Sequence, residues 1–463
     1  MKAVWAWWGK ALALGPNINL DVDSAKERAA YEAVQEALRL APRAPEYERA
    51  YVQALAKRYS IDLKADLKKL AVEYKDAMGE LVKRYPDDLD LATLYAESMM
   101  DLRPWQLWTL DGKPAEGTEE IIAVLESVLR RNPNHLGANH YYIHTVEASR
   151  TPERALASAN RLNTLAPAAG HLVHMPAHIY HRTGDHEEAA RANERAIKAD
   201  DDYFKTSGKE GIYYPMYYNH NIHFLAFASS MQGRYGDAMR AAKRLEENVA
   251  PMVKDMPMIE GFMPTALEIR VHFRKWDEIL NTPALGQGFP VTTAFWHYAR
   301  GIAYAATGKL AEAEREQLEF VRAKQALPAD LPYGLNMASN VLKVAEAVLN
   351  ARVALAKGDT NTTIDQFKRG VEAEDTLRYD EPPGWLSPVR ESLGGVLILA
   401  RRYEEAEKVF RADLERNRRN GRSLFGLHQS LKAQGKDYAA QMVKKEFDEV
   451  WKRADTKLRV EDL

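Results

Sequence analysis

The chain has 463 residues, 64 basic and 66 acidic side chains, a formal net charge of -2 and no cysteine. That length can bury a large interior, as one solenoid or as two or three domains, while bases scattered among acids exclude a nucleic-acid or anionic-membrane surface. No apolar run approaches the roughly 20 residues of a membrane helix, and without thiols any transition metal has only imidazole and carboxylate to bind it.

The first predicted element is MKAVWAWWGKALALGPNIN, an apolar helix crowded with tryptophan and stopped at Gly15-Pro16. It lacks the charged, apolar and small-residue regions of a secretory signal and reads as a packing helix. Its abruptness raises the expectation that a helix pair or leader precedes it, and with that a lean towards an exported, periplasmic protein. Beyond it, alanine, leucine, glutamate, lysine and arginine dominate, and apolar residues recur at three and four, which predicts helix almost throughout. Pro42, Pro86 and Pro133 mark units 44 and 47 residues long, and the insertion RPWQLWTLDGKPAEGTEE interrupts the second.

From residue 132 the sequence repeats itself. NPNHLGANHYYIHTVEAS is followed by APAAGHLVHMPAHIYHRTGDH, so that Pro133, His140, His144 and Ala155 map onto Pro167, His174, His178 and Ala189, each 34 residues on. Glu147 maps onto His181 in that register. At a spacing of 49, His171, His174, Gly184 and Ala189 map onto His220, His223, Gly233 and Ala238, across the insertion DDDYFKTSGKEGIYYPMYYN. Turns are predicted at Thr183-Gly184-Asp185, Gln232-Gly233-Arg234, Thr307-Gly308-Lys309, Lys357-Gly358-Asp359 and Gln434-Gly435-Lys436, each followed by a helix. Met252, Met256, Met258 and Met263 read as adaptable packing rather than as soft ligands for Cu(I). YDEPPGWLSPVRES, residues 379 to 392, reads as a rigid turn around a packed tryptophan, and LGGVL, residues 393 to 397, as a close approach of helices. Ala406 and Ala440, again 34 apart, carry the register to the C-terminal region. No glycine-rich phosphate loop, GxSxG elbow or HExxH motif occurs.

The series Ala177, Tyr180, Gly184, Ala189 and Ala196, and again Gly301, Tyr304, Gly308 and Ala313, resembles the tetratricopeptide repeat family. The pattern of ALALGPNIN, HYYIHTVE, GHLVHMPAHIY and RNGRSLFGL also resembles a bacterial, histidine-rich group of such proteins. The resemblance implies an all-α fold, a right-handed α-solenoid of stacked helix-turn-helix units with insertions. We expect one continuous superhelix over 1–463, with the histidine-rich repeats at 132–245. It also implies that the first helix of each unit lines a concave groove, and that such grooves most often grip peptides or proteins.

Ten of the thirteen histidines lie between His135 and His223, which makes scatter a poor explanation. His140, His144 and Glu147 share one helical face; His171, His174, His178 and His181 form a stripe on the next unit, and His220 and His223 open the helix after it. With facing helices about 8–10 Å apart, these nine residues are the candidate metal ligands. Tyr141, Tyr180 and Tyr217 are the candidate substrate-binding residues, against core packing as the ordinary use of a repeat aromatic. His135, His186, His272, His297 and His428 are read as ordinary packing or capping histidines. Imidazole with one carboxylate suits copper, iron or zinc, in that order here, and the surplus of histidines suggests two ions. The resulting expectation is a metal-dependent oxidoreductase acting on a small organic substrate in the groove. The alternatives are a peptide- or protein-binding adaptor and a metal carrier without turnover.

Overall fold

The computed structural model describes residues 2–62, 64–286 and 288–463. The chain divides into two compact units, Met1–Leu165 and Ala166–Leu463. Both are built from consecutive helix hairpins, the all-α, tetratricopeptide-like architecture expected. Paired strands among the described residues amount to one short hairpin, Pro332–Tyr333 against Asn336–Met337, antiparallel with Pro332 opposite Met337. No helix of the described residues is long and apolar enough to cross a membrane.

In the first unit the opening helix, Lys2–Leu14, packs as its tryptophans suggest. Trp5 stands edge-on to Trp8 and to Tyr51, both at 5.2 Å between ring centroids, over a core that includes Ala33, Leu55, Tyr74 and Met78. The following helix, Ser24–Leu40, starts where Asp23 accepts the N–H groups of Ala25 and Lys26 at 2.9 and 2.8 Å, satisfying donors that have no partner within the helix.

The second unit runs from the broken helix Gly170–His174 and Pro176–Thr183, through His186–Ser207, Asn219–Met231 and Tyr235–Val249, to the hairpins that end at Asp437–Val450. Its core holds Phe320, Phe367 and Phe410, each fully buried. The close approach read from LGGVL is real: a Cβ on Gly394 would overlap the ring of Phe410, and so would one on Gly426 from the Gly421–Ala433 helix. Glycine is what lets three helices converge on that ring.

All five predicted turn glycines have positive φ, from 70° at Gly233 to 81° at Gly184. At Gly184 the left-handed conformation closes the helix, and the following helix begins with Asp185 accepting the N–H of Glu188 at 3.3 Å. A Cβ there would also run into the carbonyl of Arg418. Gly184→Ala is therefore expected to destabilise the unit by more than about 1–2 kcal/mol, the left-handed penalty alone, as a lowered midpoint in urea unfolding.

Burial leaves some carboxyls of this unit protonated at neutral pH. Glu374, which accepts the N–H of Val389 at 3.0 Å, is pushed up to about 8 by desolvation. Its folded-state value lies above the unfolded one. Its contribution to stability is therefore complete below about pH 4.5 and is lost as pH rises through about 8. Glu374→Gln keeps the acceptor and removes the titration. Comparing urea midpoints at about pH 5 and about pH 8.5, the variant should gain on the wild type at the higher pH. An equal difference at both values would contradict the assignment.

Candidate metal centre

The helix carrying His171, His174 and His178 is broken between them. Pro176 has no N–H to give, and its ring interrupts the ladder, so Gly170–His174 and Pro176–Thr183 are separate helical segments joined at Met175. The N–H of Met175 returns to the carbonyl of His171 at 3.1 Å and that of His178 to Met175 at 3.2 Å. His220 opens the Asn219–Met231 helix, immediately after a turn of π-helix over Tyr214–Tyr218. Such wide turns re-aim the side chains beyond them.

These elements bring three imidazoles together. The Nε2 atoms of His174 and His178 lie 2.6 Å apart, and Nε2 of His220 lies 3.0 Å from that of His174. One ring nitrogen from each of the three falls within 4.8 Å of the others. The rings of His174 and His178 are held from behind. Nδ1 of His174 is 2.7 Å from Oδ1 of Asn193, whose own amide donates to the carbonyl of Ala189 at 2.8 Å and so presents its oxygen to the imidazole. Nδ1 of His178 is paired with the carboxylate of Glu381, both side chains being almost fully buried. Each Nδ1 therefore carries its proton, and the Nε2 lone pairs of His174 and His178 point at one another. Neutral imidazoles so tautomerised repel unless a cation stands between them.

Electrostatics keep His174 in the neutral form that a metal binds. Burial first, then the neighbouring His178, His220 and His171, hold His174 well below the ordinary histidine range. The trio has the donors to hold one metal ion. A tetrahedral set at about 2.0–2.1 Å places ligand nitrogens roughly 3.3 Å apart, wider by about 0.3 Å than the His174–His220 pair and by about 0.7 Å than the His174–His178 pair, so the rings would have to spread to take an ion.

The other predicted ligands are arranged differently. His171 stands 6.3 Å from His174, ring to ring, and edge-on to Tyr217 at 5.2 Å. His181 faces Phe227 at 4.9 Å and His186 at 5.5 Å, and burial lowers it well below its usual value. His223 lies against Phe262 at 5.4 Å and is lowered to about 4 by desolvation. In the first unit, His140 and His144 are 4.9 Å apart, and Nδ1 of His144 is 3.0 Å from Glu147. Glu147 thus engages a ring nitrogen of His144, as Glu381 does for His178.

Of the candidate substrate residues, Tyr217 stacks on Tyr213 at 5.3 Å and 7°, whereas Tyr180 is buried. In the first unit, burial beside Glu97 and Asp101 raises the phenol of Tyr141 well above its usual value. Asn193 and Glu381 were not singled out from the sequence. Asn193 carried a signal, a lone amide among the alanines of a helix's inner face; Glu381 carried none. Of the histidines read as ordinary, His135 caps Ala138 at 3.1 Å, His297 meets Glu316 at 2.6 Å, and His428 meets the carbonyl of Ala440 at 3.0 Å, whereas His186 is buried beside His181 with neither ring nitrogen hydrogen-bonded among the described residues.

The fold is an all-α array of consecutive helix hairpins, with groups of histidines that could hold a metal ion. No protein-family model matches the chain, and no curated protein sequence matches it. Among solved structures it is similar to the human IFIT1 dimer with m7Gppp-AAAA, at a TM-score of 0.38 and 12% identity over 92% of this chain and 87% of that one. It is also similar to a tetratricopeptide repeat protein from Parabacteroides merdae, at 0.34 and 14% over 77% and 98%. The APC/C hetero-tetramer Cut9-Hcn1 aligns at 0.33 and 11% over 93% and 73%.

Proposed function

We propose that this chain is a helical-repeat binding protein whose second unit holds a transition-metal ion at His174, His178 and His220. The observation that carries the reading is the meeting of three Nε2 atoms, two with their Nδ1 protons committed to Asn193 and Glu381. Three neutral imidazoles suit copper or zinc, with iron third. A carrier or a metal-dependent adaptor uses the site without turnover, and the groove of a repeat array supplies a surface for a peptide or protein partner.

The test is elemental analysis of protein purified without a histidine tag. About one equivalent of metal per chain is expected, and less than a tenth after metal-supplemented expression overturns the reading. A pure peptide adaptor would keep its partner affinity when His174 and His178 become alanine; a metal-dependent one would lose it. Two ions per chain would instead extend the reading to a second ion, its ligands to be sought within one unit at a time: His140, His144 and Glu147 in the first, or His171, His181 and His223 in the second.

A second reading, metal-dependent oxidation of a small organic substrate, is favoured by one feature. Three protein donors leave a coordination position open, the arrangement of catalytic rather than structural sites. Tyr217, edge-on to His171, together with Tyr180 of the same unit, is then the candidate substrate contact. Oxygen uptake by the copper-loaded chain in the presence of phenolic substrates, abolished in His220→Ala, is the expected result under that reading.

A further inference from the structure

The imidazoles of the trio and the carboxylate that supports one of them come from distant parts of the second unit. His174, His178 and His220 lie on its first helices, whereas Glu381 reaches His178 from far along the chain. The site is therefore complete only while the early hairpins of the unit stay packed against the late ones.

One short segment joins those hairpins. Trp451, just past the Asp437–Val450 helix, is wedged between two glycines remote from each other in sequence. A Cβ on Gly233, in the turn after the helix that carries His220, would overlap its ring, and so would one on Gly421, at the start of the Gly421–Ala433 helix. The ring is fixed there by stacking on Phe447 at 5.8 Å and by its indole N–H, which donates to the carbonyl of Thr456 at 2.9 Å. The next residues add charge. Arg453 meets Glu187 at 2.8 Å, in the first turn of the helix that carries Asn193. Asp455 accepts the N–H groups of Tyr235 and Gly236 at 2.8 and 2.9 Å. The Tyr235–Val249 helix has no side-chain cap from its own N-cap residue, Arg234. A carboxylate from 220 residues away supplies one, at the electropositive end of the helix. Lys452, Arg453 and Asp455 are exposed, so these links belong to the part of the unit that opens most easily.

We infer, on the footing of the proposed metal site, that residues 451–455 are a clasp coupled to the trio, so that metal uptake tightens the clasp and opening the clasp loosens the metal. Glu381 orients His178 only when the late hairpins are docked. The clasp ties to those hairpins both the helix bearing Asn193, which holds His174, and the turn that ends the helix of His220. It supplies no ligand, so its effect on the ion is transmitted through closure. Such coupling is reciprocal: the factor that closure contributes to metal affinity is the factor that metal contributes to closure.

The test uses zinc and the full chain, as wild type, Asp455→Asn and Arg453→Gln. Affinity is read by chelator competition, and closure by amide hydrogen exchange over residues 233–240, with circular dichroism as the check on fold. The wild type should bind about one equivalent of zinc, and the variants should keep that stoichiometry with Kd raised about 3- to 10-fold. Saturating zinc should slow exchange over 233–240 in the wild type by a similar factor, about 3- to 10-fold. Metal-free Asp455→Asn should exchange faster there than the metal-free wild type. Unchanged Kd in both variants, or zinc that binds without slowing exchange over 233–240, overturns the coupling and leaves the metal site standing. A wild type that binds no zinc overturns the metal site and the coupling with it. Unchanged metal-free exchange in Asp455→Asn removes the carboxylate from the clasp.

Discussion

His174→Ala is expected to reduce bound metal from about one equivalent to less than a tenth, measured by elemental analysis after dialysis. His174 is the hub of the trio, its Nε2 being the atom that both His178 and His220 approach, at 2.6 and 3.0 Å. Two imidazoles alone hold an ion far more weakly than three. The informative companion is Glu381→Gln, which touches no ion. The amide can accept from Nδ1 of His178 but carries no charge, so the ring is less basic and less firmly oriented. A loss of 10- to 100-fold in affinity is expected, read by competition with a chromogenic chelator. Unchanged affinity in Glu381→Gln would remove the carboxylate from the account. Unchanged metal content in His174→Ala would remove the site. Circular dichroism and thermal unfolding on the same samples separate either result from loss of fold.

The second large effect is on stability. Phe410→Ala is expected to cost about 3–5 kcal/mol, because the ring is fully buried and the helices around it cannot collapse onto the void. The complementary change, Gly426→Ala, adds a methyl where the ring already stands, and overpacking of this kind costs about 1–3 kcal/mol. The two act on one contact, so combining Gly426→Ala with Phe410→Leu should be less damaging than the sum of the single changes. Urea unfolding followed by intrinsic fluorescence measures all four variants, Phe410→Leu alone included. Strict additivity would mean that the glycine and the ring do not share the space.

Much of the fold could be read in the chain because its determinants are local. A turn needing a left-handed residue writes a glycine, and all five predicted turn glycines adopt that backbone. The small residues Ala189 and Ala238 fall on buried helical faces, as their register implied. The site was less legible. Four histidines spaced from 171 to 181 share a face, yet ten residues of helix extend roughly 15 Å, far beyond the reach of one ion. The stripe had to divide, and His181 ends among Phe224 and Phe227 instead. The group supporting His178 lies in the segment of residues 379 to 392, which no helical period connects to it. Contacts also close the first unit at Leu165, inside the stretch treated as one histidine-rich region, so His140, His144 and Glu147 are read with their own unit.

The interruption at Pro176 has a consequence for which element the trio would prefer. An unbroken helix would lock His174 and His178 at a fixed separation and so favour one ionic radius. Where the two segments meet, Pro176 makes no amide link and the N–H of His178 returns to Met175 at 3.2 Å, so the joint has one hydrogen bond fewer than an unbroken helix and yields more readily. A cradle of that kind discriminates poorly between neighbours in the first transition row. Occupancy would then follow whichever ion the surrounding compartment supplies.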